Sequence, residues 1–104
     1  MAAPCDKDLV DWLSRSTRGP WRLTMDHGQE IHGPSGEYIA RVVVSPPNAK
    51  LVCAAPELAA EVLRLRAALS ALVDEYCDYA RINNLGDPER QHNIKRARAA
   101  LATA

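Results

Sequence analysis

The fold is decided by the stretch PELAAEVLRLRAALSALVDEYCDYARI, residues 56–82. Its large apolar residues recur alternately four and three positions apart, which is the heptad spacing of a helix that packs lengthwise against a partner. We call this row the heptad seam; it comprises Leu58, Val62, Leu65, Leu69, Leu72, Tyr76 and Tyr79. The pattern predicts one long helix that ends near Asn83, in a helical region that begins with Asn48 as its N-cap.

Two features qualify this long helix. Pro56 either kinks one continuous helix or begins a second one, because proline lacks the N–H that a helix interior requires. Leu63 and Val73 widen the apolar stripe beyond the heptad seam. The wider stripe predicts that the helix also packs on a sheet.

A second helix is predicted after the turn NNLGDP, residues 83–88. Gly86 suits a left-handed helix cap, Asp87 can cap the next helix, and Pro88 can occupy its first position. The helix then carries a narrow apolar stripe of Ile94, Ala97 and Leu101. Because the loop is short, this helix should fold back antiparallel on the long one, so that residues 48–103 form a helical hairpin.

Before residue 48, the spacing of the apolar residues changes along the chain from a helical to an alternating pattern. Leu9, Trp12 and Leu13 share one face of a predicted helix over residues 6–16, which packs through Trp12. Residues 20–45 then alternate apolar and polar side chains between turns, which is typical of half-buried strands. The predicted strands lie in WRLTMD, EIH and YIARVVV, residues 21–26, 30–32 and 38–44. The sequence therefore predicts a single α+β domain over residues 1–104, with a three-stranded antiparallel meander.

Composition sets limits on function. Thirteen basic and thirteen acidic side chains give a net charge of zero, so no global field favours nucleic acid or an anionic membrane. There is no long uncharged apolar run and no signal-like start, which favours a cytoplasmic protein. Three dispersed cysteines, Cys5, Cys53 and Cys77, argue against a disulfide framework.

Enzymatic chemistry finds little support in the motifs. His27 and His32 lie among the glycines of DHGQEIHGPSGE, residues 26–37, where polar turn residues explain them. A zinc site built from these histidines with Cys53 and Cys77 is a weaker alternative, since close ligand pairs are absent. Asp26, Glu30 and Glu37 also lie in predicted turns, where water reaches them, whereas a general acid needs a buried carboxylate with a shifted pKa. We therefore expect no enzyme, no cofactor and no metal, and bound zinc would favour the metal-dependent enzyme instead.

Basic side chains on the helices give the other alternative, a nucleic-acid-associated regulator. The candidate contacts are Arg64, Arg66, Arg81, Lys95, Arg96 and Arg98. At helical spacing such residues pair equally well with neighbouring carboxylates on a solvated face. Salt-dependent retention on DNA would favour the regulator, whereas the balanced net charge favours ion pairing.

Three motifs together resemble small accessory proteins encoded by bacteriophages and prophages. They are GPWRLTMDHGQEIHGPSGEYIARV, NAKLVCAAPELAAEVLRLRAALSALVDEY and IKRARAALATA, which lie within residues 19–104. The resemblance implies an accessory gene product that modulates the host or its defences by binding, as anti-CRISPR proteins do. It carries no catalytic residues over to this chain.

The resulting functional hypothesis is a non-enzymatic protein-binding module that occludes a surface of a host protein or defence complex. The heptad seam offers more apolar surface than the small sheet and the last helix can cover. This excess predicts a homodimer. The predicted interface comprises Leu58, Val62, Leu65, Leu69, Leu72 and Tyr76. In the alternative, the N-terminal helix with Trp12 completes the cover in a monomer.

Overall fold

The computed structural model describes residues 3–26 and 28–102 of the chain. Its fold is α+β, as the sequence predicts, with one helix, three antiparallel strands and then a helical region with one long member. In chain order the elements are α1 (Asp6–Arg15), β1 (Arg22–Thr24), β2 (Glu30–His32), β3 (Tyr38–Arg41), α2 (Pro46–Cys53), α3 (Ala55–Ile82), a 3-10 turn (Pro88–Arg90) and α4 (His92–Leu101). Among the described residues, no helix is both long enough and apolar enough to cross a membrane.

The chain divides into two compact units. One comprises Asp8–Glu61, and the other comprises the described residues up to Lys7 together with those from Val62 onward. The first unit buries the apolar residues Leu9, Ile31 and Ala49, and the second buries Val73, Cys77, Ala80 and Ile94. Both cores are small, so each unit leaves many large apolar side chains at its surface.

The sheet is an antiparallel meander in the order β1-β2-β3. Leu23 of β1 lies opposite Ile31 of β2, which in turn lies opposite Ala40 of β3. Ile31 is fully buried, whereas its neighbours Glu30 and His32 turn towards the other face, because side chains alternate along a strand. One face of the sheet is therefore apolar and the other carries polar groups.

The turn between β2 and β3 depends on a glycine. Gly36 has a φ of 86°, in the left-handed region that favours glycine, and its N–H donates to the carbonyl of Gly33 over 3.1 Å. β3 then ends at Arg41, three residues before the predicted end of the strand. Val42 still donates to the carbonyl of Gln29 over 2.9 Å, but the two prolines that begin α2 cannot extend the ladder.

The N-cap predicted at Asn48 is wrong. α2 begins at Pro46, and Ser45 is its N-cap, with φ −60° and ψ 148°. Pro46 and Pro47 occupy the first turn, where a helix leaves its N–H groups unpaired and the fixed proline φ is already helical. The helix therefore starts two residues before Asn48.

The two alternatives at Pro56 are resolved in favour of a second helix. α2 ends at Cys53 and α3 begins at Ala55, with Ala54 between them at φ −80° and ψ −4°. The carbonyl of Ala54 accepts from the N–H of Leu58 over 2.9 Å. Pro56 thus lies in the first turn of α3, where its missing N–H leaves no helical bond broken.

The long helix ends at Ile82, close to the predicted position. The left-handed residue that caps it is Asn84, with φ 55°, and not Gly86, which also has a positive φ but lies two residues further on. The N–H of Leu85 donates back to the carbonyl of Ala80 over 2.9 Å, which closes the last turn. Asparagine tolerates the left-handed region better than most residues, which explains the shift of the cap.

The last helix is shorter than predicted. Asp87 does cap, since its carboxylate accepts from the N–H of Glu89 over 3.1 Å, but it caps the 3-10 turn Pro88–Arg90. Gln91 then adopts an extended backbone, with φ −72° and ψ 140°, and α4 begins at His92. The predicted helix is therefore two segments broken at Gln91.

Packing also differs from expectation at α1. The buried residue of that helix is Leu9, whereas Trp12 exposes 53% of its surface, so the prediction that α1 packs through Trp12 is wrong. The helix that packs on the sheet is α2, against β1. Val73, which we expected to widen a sheet-packing stripe, packs with Cys77 and Ile94 between α3 and α4.

Candidate protein-binding surfaces

The heptad seam of α3 divides into an exposed and a covered row. Leu58, Leu65, Leu72 and Tyr79 lie seven residues apart and each exposes half of its surface or more. Leu69 and Tyr76, the alternate members, are partly buried and pack on the core of α3 and α4. We call Leu65, Leu72 and Tyr79 the outer row. The six residues predicted as a dimer interface therefore do not share one environment.

The covered row belongs to the hairpin itself. Val73, Cys77 and Ile94 form the buried cluster, on which Ala97 of α4 also packs. The Tyr76 hydroxyl donates to the side-chain carbonyl of Gln91, at the start of α4. The wide apolar arc of α3 thus covers the core along one edge and faces solvent along the other.

A groove runs beside the outer row. It has a volume of about 290 Å³ and lies between α3 and α4. Leu69 and Leu72 line it on one side, and Asn93 and Ala97 line it on the other. Its walls are mostly apolar, so it suits an aliphatic side chain from a partner.

A second apolar surface lies in the unit Asp8–Glu61. We call it the aromatic cleft; it has a volume of about 180 Å³ and is lined by Leu9, Trp12, Leu13, Ser16, Trp21, Ala55, Pro56 and Ala59. The α1 residues that line it are spaced three and four apart, so they share one helix face. Ala55 and Ala59 lie across from them at the start of α3, and their small side chains leave the space open.

The two tryptophans of the aromatic cleft differ in hydrogen bonding and exposure. Trp21 is partly buried, and its indole N–H donates to the carbonyl of Thr17 over 3.0 Å, which fixes the ring. The indole N–H of Trp12 has no hydrogen-bond partner among the described residues, and the side chain is half exposed at the rim. The exposed tryptophan beside the fixed one forms an apolar platform, and exposed aromatic side chains of this kind are typical of binding hot spots.

A wider polar cleft borders the aromatic cleft. It has a volume of about 460 Å³ and shares Leu13, Ser16 and Pro56 with its neighbour. Arg18 and Glu57 line it and supply one charge of each sign. When a partner residue occupies the aromatic cleft, the next residue of the partner can therefore hydrogen-bond to Arg18 or Glu57.

The basic residues predicted as nucleic-acid contacts do not form one free cationic face. Arg66 is only 12% exposed and donates to the Asp6 carboxylate over 2.9 Å and to the Pro4 carbonyl over 2.7 Å. Arg81 lies 3.9 Å from carboxylate oxygens of both Asp78 and Glu89. Both guanidinium groups are therefore occupied by this chain's own acceptors.

Arg98 is held in the same way. Its Nη2 lies 3.0 Å from a carboxylate oxygen of Glu89 and 3.4 Å from one of Asp74, and the hydrogen bond that Arg98 donates to Glu89 raises the pKa of Arg98. Arg64, Lys95 and Arg96 are exposed. Within residues 3–26 and 28–102, no ion pair involves Lys95 or Arg96. The nucleic-acid regulator stays a prediction, with Arg64, Lys95 and Arg96 as its exposed candidate contacts.

The polar face of the sheet gathers some of the residues from the histidine stretch. Glu30 accepts from Arg41 over 3.3 Å and from His32 over 3.4 Å, and the ring of His32 meets that of Tyr38 edge-on. The hydrogen bond from Arg41, with a smaller contribution from the one donated by His32, outweighs burial and holds the pKa of the Glu30 carboxyl below its usual value. The carboxylate is thus a hydrogen-bond acceptor in a structural cluster, and a general acid would need the opposite shift.

The other predicted metal ligands are dispersed. Cys53 and Cys77 are free thiols, and burial raises the pKa of Cys53. Cys77 is buried in the α3–α4 core, with its Sγ 3.9 Å from a carboxylate oxygen of Glu89. His27 lies outside the described residues. Among the residues that are described, no group of three or more histidines, cysteines and carboxylates is arranged to hold a metal ion.

Sequence reasoning missed the aromatic cleft. Trp12 fits an amphipathic stripe, and an apolar stripe predicts burial. The residues opposite it belong to the alanine-rich start of α3, and alanines predict only helix. The pairing of α1 with residues 55–59, which is a tertiary contact, creates the space.

Comparison with known proteins places the chain in a family. Residues 7–104 match the sequence model of the family described as Salmonella phage P22 protein Y8K6. Since the match covers nearly the whole sequence, the chain belongs to this phage protein family. No curated protein and no solved structure matches the chain. The resemblance to phage-encoded proteins is thereby confirmed at the level of the family.

Proposed function

We propose that this member of the phage P22 Y8K6 family is a non-enzymatic protein-binding module that inhibits a host defence complex. It acts in the cytoplasm of the host by occluding a surface of that complex, in the manner of an anti-CRISPR protein. The aromatic cleft is the observation that carries the proposal. Membership of a phage family supports a role directed at the host.

Binding energy is available at the aromatic cleft. Trp12 leaves about half of its surface exposed, and a large aromatic side chain that becomes fully buried contributes about 2–4 kcal/mol at a hot spot. Leu9 and Trp21 hold the floor of the cleft in place, so little conformational entropy is lost when a partner binds. Such preorganisation favours affinity.

The walls indicate the chemistry of the partner. An aliphatic or aromatic side chain fits between Trp12 and the small Ala59, because the lining of the cleft is mostly apolar. The bordering polar cleft places Arg18 and Glu57 next to the occupant's neighbours. The partner segment therefore carries one large apolar residue flanked by polar or charged residues, as an exposed loop of a folded protein does.

Inhibition by occlusion requires affinity and no chemistry. The carboxylate with a resolved shift, Glu30, has a lowered pKa, and Cys53 has a raised one. A lowered carboxyl pKa disfavours a general acid and a raised thiol pKa disfavours a nucleophile. These shifts support a binding role over a catalytic one.

The test is affinity capture from host lysate with a matched pair of variants. Trp12→Ala removes the rim of the aromatic cleft, whereas Val10→Ala removes an equally exposed apolar side chain of α1 that does not line it. We expect the wild type and Val10→Ala to retain the same host protein, identified by mass spectrometry, and Trp12→Ala to lose it. Retention that is equal for all three proteins would overturn the assignment to this cleft.

A further inference from the structure

We propose that two copies of this chain pair in antiparallel orientation through the outer row of α3. This interface is separate from the aromatic cleft and goes beyond the proposed function. The pair joins residues 62–82 of one copy to the same residues of the other, and each helix buries Leu65, Leu72 and Tyr79 against its partner.

The exposed residues supply the apolar centre of such a contact. Val62, one turn before Leu65, and Ile82, one turn after Tyr79, flank the outer row on opposite sides and are exposed as well. Together with Leu65, Leu72 and Tyr79 they present on the order of 400 Å² of apolar surface, if each aliphatic side chain offers about 120 Å² in full and the tyrosine about 200 Å². That lies within the range for the largest patch of a monomer, and flanking residues supply the rest of the roughly 800 Å² per partner of a stable interface.

Side-chain size selects the antiparallel orientation. When Leu69 of one helix lies level with Leu72 of the other, Val62 lies level with Tyr79, and Leu65 with Tyr76. Leu69 and Tyr76 are only partly buried by the hairpin core, and they enter these layers with the part of their surface that stays exposed. The central layer pairs two leucines, and each of the other layers combines a smaller aliphatic side chain with a tyrosine, so the layers have similar volumes. In a parallel pair, valines would meet at one end and tyrosines at the other, which leaves the helices unevenly spaced.

Charge on the flank of the outer row favours the same orientation. Arg64 lies near the N-terminal end of this flank, and Glu75 and Asp78 lie near its C-terminal end, all three exposed. In the antiparallel alignment Arg64 of each copy lies level with residue 77 of the other, between the two carboxylates. The charges on this flank therefore complement those of a second copy that runs in the opposite direction. This complementarity argues for a second copy rather than an unrelated partner.

The groove beside the outer row fits this arrangement. It opens between Leu69 and Leu72 on α3 and the facing side of α4. Leu69 and Leu72 form the central layer of the antiparallel alignment. Leu72 of the second copy therefore reaches the mouth of the groove, where an aliphatic side chain can pack.

Light scattering coupled to size exclusion tests the pairing on the full chain. We expect the mass of two copies at tens of micromolar for the wild type, and at least a tenfold rise in the dissociation constant for Leu72→Gln or Tyr79→Gln. Ala67→Gln is the matched control on the same helix away from the outer row and should remain dimeric. A monomeric wild type, or a Leu72→Gln dimer of unchanged affinity, overturns the proposal.

Two further measurements keep the result decisive. Circular dichroism shows whether each variant stays folded, and if Leu72→Gln unfolds, Tyr79→Gln at the end of the row answers the same question.

For the orientation, Arg64→Glu and Glu75→Arg should each weaken the dimer, whereas the double variant should recover at least half of the loss in log affinity. A double variant weaker than either single one contradicts the antiparallel pair.

Discussion

Leu72 and Val73 are consecutive residues of α3, yet Leu72 exposes 63% of its surface and Val73 exposes 3%. Val73 packs with Cys77 and Ile94, whereas Leu72 stands in the outer row. The 100° turn between neighbours on a helix places the boundary between core and binding surface at this peptide bond. A single helix therefore serves the hairpin core with one edge and is free to bind with the other.

This boundary predicts opposite effects of matched truncations. Val73→Ala should lower the free energy of unfolding by about 1–3 kcal/mol, because it opens a cavity in the small α3–α4 core. Leu72→Ala should change it by less than about 0.5 kcal/mol, since surface truncations cost little. Urea denaturation at low micromolar concentration, below the range of the proposed pairing, measures both. Equal losses for the two variants would contradict the division of the helix.

Filling the aromatic cleft should abolish partner binding while Trp12 stays in place. Ala59→Leu adds three carbon atoms to the wall opposite Trp12, so the side chain of a partner no longer fits. The same substitution at the exposed Ala67 adds equal apolar surface outside the cleft and serves as the control. Affinity capture should fail for Ala59→Leu and succeed for Ala67→Leu. Capture by both would show that the partner binds elsewhere.

The Glu30 cluster should make stability depend on pH. Arg41 and then His32 hold the folded-state pKa of Glu30 below 4.5, its ordinary value. The contribution of Glu30 is therefore fully present above about pH 4.5 and is lost as the pH falls through the lowered folded-state pKa. Glu30→Gln should be less stable than the wild type at pH 7, with the difference shrinking in acid. A difference in unfolding free energy that is constant between pH 7 and pH 3 would refute this.

Arg66 should stabilise its unit through its hydrogen bonds. Its guanidinium joins α3 to Asp6 and to the carbonyl of Pro4. Arg66→Met keeps the apolar stem and should cost about 1–2 kcal/mol, a value reduced by the partial exposure of Asp6. Arg96→Met is the control, since Arg96 has no ion pair among the described residues. Thermal denaturation should give a clearly lower midpoint for Arg66→Met alone.

Local patterns were enough to predict most of the fold. Heptad spacing predicts α3, alternation and glycine turns predict the meander, and both depend on neighbours within a few residues. The details that were wrong are helix caps, at positions where two nearby residues could each serve as the cap. Ser45 and Asn48 both make good N-caps, and the prolines between them decide; Asn84 and Gly86 both tolerate a left-handed backbone.

The binding surfaces could not be predicted in the same way. Leu72 and Val73 are both apolar, and only the position of α4 decides which of them is covered. Trp12 was expected in the core because the sequence does not show that small alanines lie opposite it. The pairing of Arg98 with Glu89 and Asp74 likewise depends on how the hairpin closes. Tertiary contacts, which a single sequence does not encode locally, determine these sites.

Phage plating tests the central claim most directly. A panel of host strains, each carrying one active defence system, is made to express the wild-type chain, Trp12→Ala or Val10→Ala at equal levels. The account predicts that the wild type and Val10→Ala raise the plating efficiency of a sensitive phage on at least one strain, whereas Trp12→Ala leaves it unchanged. Plating that is unaffected by the wild-type chain on every strain, or restored equally by Trp12→Ala, would contradict inhibition through the aromatic cleft.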